Sequence, residues 1–189
     1  MGKRRTAREL ALQALFFMDM AGDDSDEKLH MFMKSRAMPK KTPPLFLELV
    51  KGVTGARREI DRVIERFSSN WKIDRMSGVD RNVLRISVYE ILCREDIPVK
   101  VSINEAIDIG KKYGTEDSGA FINGILDSIH LASDKENLCI ELPSSVTRSP
   151  APAVAAESKT ESASPSDPAP FAPVKGKSGV VKRKSRSQL

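Results

Sequence analysis

The chain has 189 residues, of which 40% are hydrophobic, 30% charged and only 5% aromatic, with a formal net charge of +5. That profile suits helices packed through aliphatic side chains. It argues against a disulfide framework or a zinc site, because Cys93, Cys139, His30 and His130 are the only cysteines and histidines and none sits in a Cys-x-x-Cys or His-x-x-x-His pattern. The basic excess is local: residues 143–189 hold 8 basic and 3 acidic side chains, whereas residues 1–142 hold 23 of each. A nucleic-acid footprint on the first 142 residues must therefore come from clustering, not from overall charge.

The chain opens with Lys3, Arg4, Arg5 and Arg8 leading into an apolar run. A charged segment before Leu10–Met18 mimics a secretion signal, but Glu9 and Gln13 interrupt it and no small-x-small cleavage site closes it. Thr6 and Glu9 have the spacing of a capping box, and Leu10, Ala11, Ala14, Leu15, Phe17 and Met18 recur at helical intervals, predicting a first helix to about Ala21. Gly22-Asp23-Asp24 breaks it. A second helix is expected from Asp26 to Met38, stopped by Pro39. Thr42 is expected to cap a third, with Pro43 at its first position. The fourth carries Ile60, Val63, Ile64 and Phe67 beneath a charged outer face.

Ser77-Gly-Val-Asp80 opens the fifth helix, which is apolar nearly all round through Val83, Leu84, Ile86, Val88, Ile91 and Leu92, the pattern of a helix at the centre of a domain. Ser102-Ile-Asn-Glu105 reads as a capping box opening the sixth, which Gly114 closes. The seventh spans about Asp117 to Ala132, with Phe121, Ile122, Ile125, Leu126 and Ile129 inward. No alternating strand pattern and no internal repeat is evident. No apolar stretch approaches the ~20 residues of a membrane span. From Pro143 onward the composition turns to Pro, Ser and Ala with 7 of the 11 prolines and a terminal Lys182-Arg183-Lys184-Ser185-Arg186 cluster, predicting a disordered basic tail at 143–189 behind a helical domain at 1–142.

Catalytic and cofactor patterns fail. Gly119 to Gly124 has the glycine spacing of a phosphate-binding loop, but Ile125 and Leu126 stand where Lys and Ser or Thr are required. Acidic pairs such as Asp23-Asp24 and Glu116-Asp117 suit helix starts and turns. No cofactor, metal or enzymatic activity is expected. Two segments suit RNA instead. The arginine-rich start offers phosphate contacts. Phe16 and Phe17 point about 100° apart on a helix, so one of them is free to act as a stacking platform unless the helix is wedged between two layers. The stretch Gly114-Thr-Glu-Asp-Ser118 can present N–H groups, hydroxyls and the Asp117 carboxylate at a helix start, although Asp117 serves equally well as a cap.

The runs RRTARELALQALFFMD at 4–19, VDRNVLRISVYEI at 79–91, IPVKVSINEAIDIGKKYG at 97–114 and EDSGAFINGILD at 116–127 resemble, in order, the NusB family of bacterial transcription antitermination factors. The resemblance implies an all-α fold of seven helices in two packed sub-bundles. It implies binding of boxA-type single-stranded RNA on nascent ribosomal transcripts together with the ribosomal protein NusE, assembly of an antitermination complex on RNA polymerase, and a cytoplasmic location. The family's RNA surface maps onto Lys3, Arg4, Arg5, Arg8, Phe16, Asp117, Ser118 and Phe121, and its protein-partner surface onto Asp74 and Asp80. Phe16 stands where relatives often have Tyr. A homodimer that hides the RNA surface, the RNA-binding domain of an RNA cytosine methyltransferase, and a helical adaptor without RNA remain open at this point.

Overall fold

The computed structural model describes residues 2–36, 38, 42–69, 71–136, 138 and 140. The tail expected at 143–189 lies outside the described residues. Within them are seven α-helices and no β-strand: α1 (Lys3–Ala21), α2 (Asp26–Ser35), α3 (Pro44–Gly55), α4 (Arg57–Phe67), α5 (Gly78–Cys93), α6 (Val99–Tyr113) and α7 (Ser118–Glu136), with a 3-10 turn at Ile73–Arg75 before α5. Helices α1–α3 form one sub-bundle and α4–α7 the other. α5 joins them, packing on α1 and α3 as well as on its own neighbours.

The helix boundaries follow from local chemistry. Gly22 closes α1 in the left-handed conformation (φ 64°) that its missing Cβ permits, and its N–H bonds back into the last turn. The Ser25 hydroxyl caps α2 by accepting from the Lys28 N–H, and Ser77 caps α5 by accepting from Asp80 N–H. Four expectations shift. The proline that opens α3 is Pro44, one residue late, because a proline forces the residue before it to stay extended, and Pro43 is so held (ψ 133°). α2 ends at Ser35 instead of Met38, and Pro39 lies outside the described residues. α1 begins at Lys3, which puts Thr6 inside the first turn with its hydroxyl donating to the Gly2 carbonyl. α6 begins at Val99, so Ser102 is interior and buried, and its hydroxyl donates to Glu90 Oε2 at 2.7 Å.

The core is aliphatic with few rings. Phe46, Leu49, Ile60, Ile64, Leu84, Tyr89, Ile122, Leu126 and Ile129 are fully buried. Every residue from Asn82 to Glu90 is buried, as the near-continuous apolar pattern of α5 predicts. The Tyr89 ring occupies the space that a side chain on Gly52 of α3 would fill. A Gly52→Ala variant is therefore expected to lose about 1–3 kcal/mol through overpacking, despite alanine's better helix propensity, and a lower urea midpoint checks it.

Asn82, Arg85, Ser87 and Glu90 on α5 survive burial because each is paired. Asp19 at the end of α1 accepts from Arg57 of α4 and from Arg81, Asn82 and Arg85 of α5, while Arg85 also grips Asp61 with bonds of 2.7 and 3.0 Å. This node ties α1, α4 and α5 together. Burial pushes the Asp19 carboxyl upward, but Arg81, Arg85, Asn82 and Arg57 outweigh it and hold the carboxyl below the usual carboxylate range. A depressed carboxylate stabilises the fold above its unfolded value, and that stability is lost as pH falls through the folded value. Asp19→Asn is expected to cost about 2 kcal/mol near neutrality and to flatten the loss of stability below about pH 4, read from urea midpoints across pH.

Candidate nucleic-acid interface

At its N-terminal end α1 presents Lys3 and Arg4 to solvent and keeps Arg5 half-buried. Lys3 and Arg4 border a cleft of about 320 Å³ against Thr42, Pro43, Pro44 and Leu45. Arg4 lies 3.8 Å from Asp96, and Arg5 donates to Asp108 of α6 at 3.0 Å and sits 3.7 Å from Glu9. These acids hold the arm in place at little cost, since exposed pairs contribute only about 0–1 kcal/mol and exchange readily for other anions.

Arg8 does not join that surface. It is 3% exposed, and its Nε donates to both oxygens of Glu90, at 2.9 and 3.1 Å, inside the domain. Glu90 is fully buried and also accepts from Ser102. The cluster of four basic residues thus divides into an outward arm and one internal strut. Arg8 lies on nearly the same helix face as Arg4 but one turn further in, where Glu90 of α5 meets it.

Two turns further along, both Phe16 and Phe17 reach the surface, 38% and 36% exposed. Phe16 rests on Gly78 at the start of α5, where a Cβ would collide with its ring. Phe17 packs against Phe32 of α2, with ring centroids 5.9 Å apart, and Lys28 Nζ lies 6.0 Å from its ring. Together with Met20, Val79 and Tyr113 they line an open, mostly apolar groove of about 490 Å³. Helix α1 is therefore neither wedged between layers on this side nor limited to one exposed ring.

Tyr113, the last residue of α6, carries the groove towards α7. Lys112 Nζ stands 4.8 Å from its ring and donates to Glu9 at 2.8 Å, linking α6 to α1. Neither residue carries a motif; an aromatic at a helix end just before a glycine is the signal that the sequence offers. The turn that follows is closed. The Ser118 hydroxyl accepts from the Thr115 N–H at 2.8 Å, and Ser118 is 1% exposed, so its side chain is spent on shaping the turn. Asp117 is exposed and precedes the first residue of α7, its carbonyl accepting from the Phe121 N–H. Phe121 is half-buried, 5.8 Å from the exposed Trp71 in an edge-to-face contact.

The two acids expected to meet a protein partner differ in the same way. Asp74 is exposed in the 3-10 turn, whereas Asp80 is 8% exposed within α5, with its Oδ1 sealed from solvent. Among the described residues no group of three or more His, Cys, Asp or Glu side chains is placed to hold a metal ion, and no helix is long and apolar enough to cross a membrane.

A model of the NusB family matches residues 5–131, which takes in the arm from Arg5, the groove and the α7 entrance. The chain belongs to the NusB family. Among NusB relatives, the transcription antitermination protein NusB of Desulfatibacillum aliphaticivorans is 57% identical over 136 residues, covering 72% of this chain and 95% of the relative. That of Myxococcus xanthus is 49% identical over 139 residues, covering 71% and 99%. In structure the chain is similar to NusB of T. maritima, with 38% identity and a TM-score of 0.61 over 71% of this chain and 97% of the other. It is also similar to a chain in a crystal structure of the antitermination factors NusB and NusE in complex with dsRNA, with 29% identity and a TM-score of 0.62 over 70% and 98%.

Proposed function

We infer that this chain is a transcription antitermination factor that binds boxA-type single-stranded RNA of nascent ribosomal transcripts together with NusE, and helps assemble an antitermination complex on RNA polymerase in the cytoplasm. The observation that carries this is the alignment, along α1 and across α6, of a basic arm, an aromatic groove and the α7 entrance in a NusB-family chain. Phosphates are met by Lys3, Arg4 and Arg5, bases by Phe16 and Phe121, and base amino groups by the exposed Asp117 carboxylate. Arg8 and Ser118 act as positioning groups, holding α1 and the α7 turn in place from within. NusE, a basic ribosomal protein, is met at Asp74, with Asp80 supporting the start of α5.

No step here calls for catalysis or a cofactor. The curated relatives are matched over 95% and 99% of their own length, so the likeness is to whole antitermination proteins and not to one domain of a larger methyltransferase. Fluorescence anisotropy with labelled boxA-like and scrambled RNA, with and without NusE, tests the assignment. Tighter binding of the boxA-like RNA, strengthened by NusE, is expected; equal affinities under all conditions would sink it. A homodimer that hides the groove would appear as affinity that falls with rising protein concentration.

A further inference from the structure

We propose that Trp71 is a stacking platform for an unpaired base of the bound RNA, extending the Phe121 end of the surface onto the loop between α4 and α5. Its premise is the RNA surface proposed above.

Trp71 is the only tryptophan in the chain, and it is 52% exposed. An aromatic of this size is usually committed to a core or an interface. Here its ring meets Phe121 edge-to-face, with centroids 5.8 Å apart and planes at 69°. That contact places the indole beside α7's first turn, with half its surface still open.

Hydrogen bonds anchor the backbone at Trp71 and Ile73. Ser68 Oγ donates to the Trp71 carbonyl at 2.6 Å, and the Trp71 N–H donates to the Ser68 carbonyl at 3.1 Å. Two residues on, the Ile73 N–H donates to Glu65 Oε1 at 3.1 Å. Ser69 between them has φ 37°, a left-handed conformation uncommon outside glycine. Strain of this kind persists only where surrounding contacts over-determine it. These bonds anchor the Trp71 backbone and the Phe121 contact holds an edge of its ring, so the indole loses little entropy on stacking.

The occupant follows from the surroundings. Lys72, Asp74 and Arg75 follow Trp71 in the chain and are all exposed. Asp74 of the same turn is the NusE contact proposed above, so NusE is the rival occupant; the contact with Phe121, which lies on the RNA surface, favours a base. A base needs only a π-face and a nearby cation for its phosphate, which Trp71 and Lys72 supply. Stacking is indifferent to base identity, so Trp71 adds affinity more than sequence preference.

Because Trp71 is the sole tryptophan, intrinsic emission of the full chain reports on this residue alone. The protein is titrated with unlabelled boxA-like single-stranded RNA while binding is followed separately by anisotropy of a labelled copy. Quenching of the emission with the midpoint seen by anisotropy is expected. Trp71→Ala is expected to weaken RNA binding about 5- to 100-fold, and Trp71→Phe, which keeps an aromatic face, to restore most of it. Anisotropy showing binding while emission stays constant and Trp71→Ala binds like wild type would overturn the proposal. So would emission that responds to NusE but not to RNA. If wild type shows no RNA binding by anisotropy, the underlying RNA assignment fails first and this proposal falls with it.

Discussion

Replacing Arg8 with alanine is expected to lower folding stability by about 3–5 kcal/mol, the cost of stranding a buried carboxylate without its partner. Arg8 and Glu90 are 3% and 1% exposed. Ser102 remains as one donor to Glu90, which is too little to hold a charge there. The nearest further acid, Glu105, lies 3.8 Å from Arg8 and would gain nothing from its loss. Changing both partners to apolar residues, as in Arg8→Met with Glu90→Leu, is expected to recover much of the stability, since a packed apolar pair avoids the desolvation that the ions incur. Urea denaturation of the single and double variants measures this. A second readout separates strut from contact: at a temperature where the Arg8→Ala protein is still folded, its RNA binding keeps the salt dependence of wild type. A reduced salt slope would place Arg8 on the phosphates after all.

Replacing Lys3, Arg4 and Arg5 together with alanine is expected to have the opposite profile. Stability changes little, because Lys3 and Arg4 are exposed and the Arg5–Asp108 pair is open to solvent. RNA affinity falls by roughly 10- to 100-fold at about 0.1 M salt, because three phosphate contacts no longer release counterions. The slope of log affinity against log salt becomes less negative by about 2, at about 0.7 per contact for single strands. Filter binding across a salt series gives both numbers. An unchanged slope would move the phosphate-binding surface away from the start of α1.

Much of the fold is legible in the residues, and the reasons for the rest are specific. The apolar run of α5 is enough on its own to mark that helix as central, and Ser77 caps it as its position beside Asp80 suggests. The pairs Thr6–Glu9 and Ser102–Glu105 mislead because a capping box shares the three-residue spacing of neighbours on any helix face. Their side chains turn out to serve tertiary ends: Glu9 binds Lys112, and Ser102 binds Glu90. Arg8 looks like one more member of a basic arm, and only the approach of Glu90, 82 residues away, reveals it as an internal ion pair. Likewise, Ser118 reads as a ligand-facing hydroxyl until the Thr115 N–H claims it. Phe16 and Phe17 stand out by their adjacency, which suggests one exposed ring; that both are exposed depends on α2 leaving a groove beside α1. Trp71 carries no motif, and its partner Phe121 lies 50 positions downstream.

On the function proposed above, one continuous surface, from the start of α1 across Tyr113 to the start of α7, holds the RNA. Zero-length ultraviolet cross-linking of a 4-thiouridine-substituted boxA-like RNA to the full chain, followed by peptide mapping, tests it most directly. Cross-links are expected within residues 2–20 and 113–122, and at Trp71, present with the boxA-like RNA and depleted with a scrambled one. Cross-links confined to α2, α3 or the outer face of α4, or the same pattern with both RNAs, would contradict it.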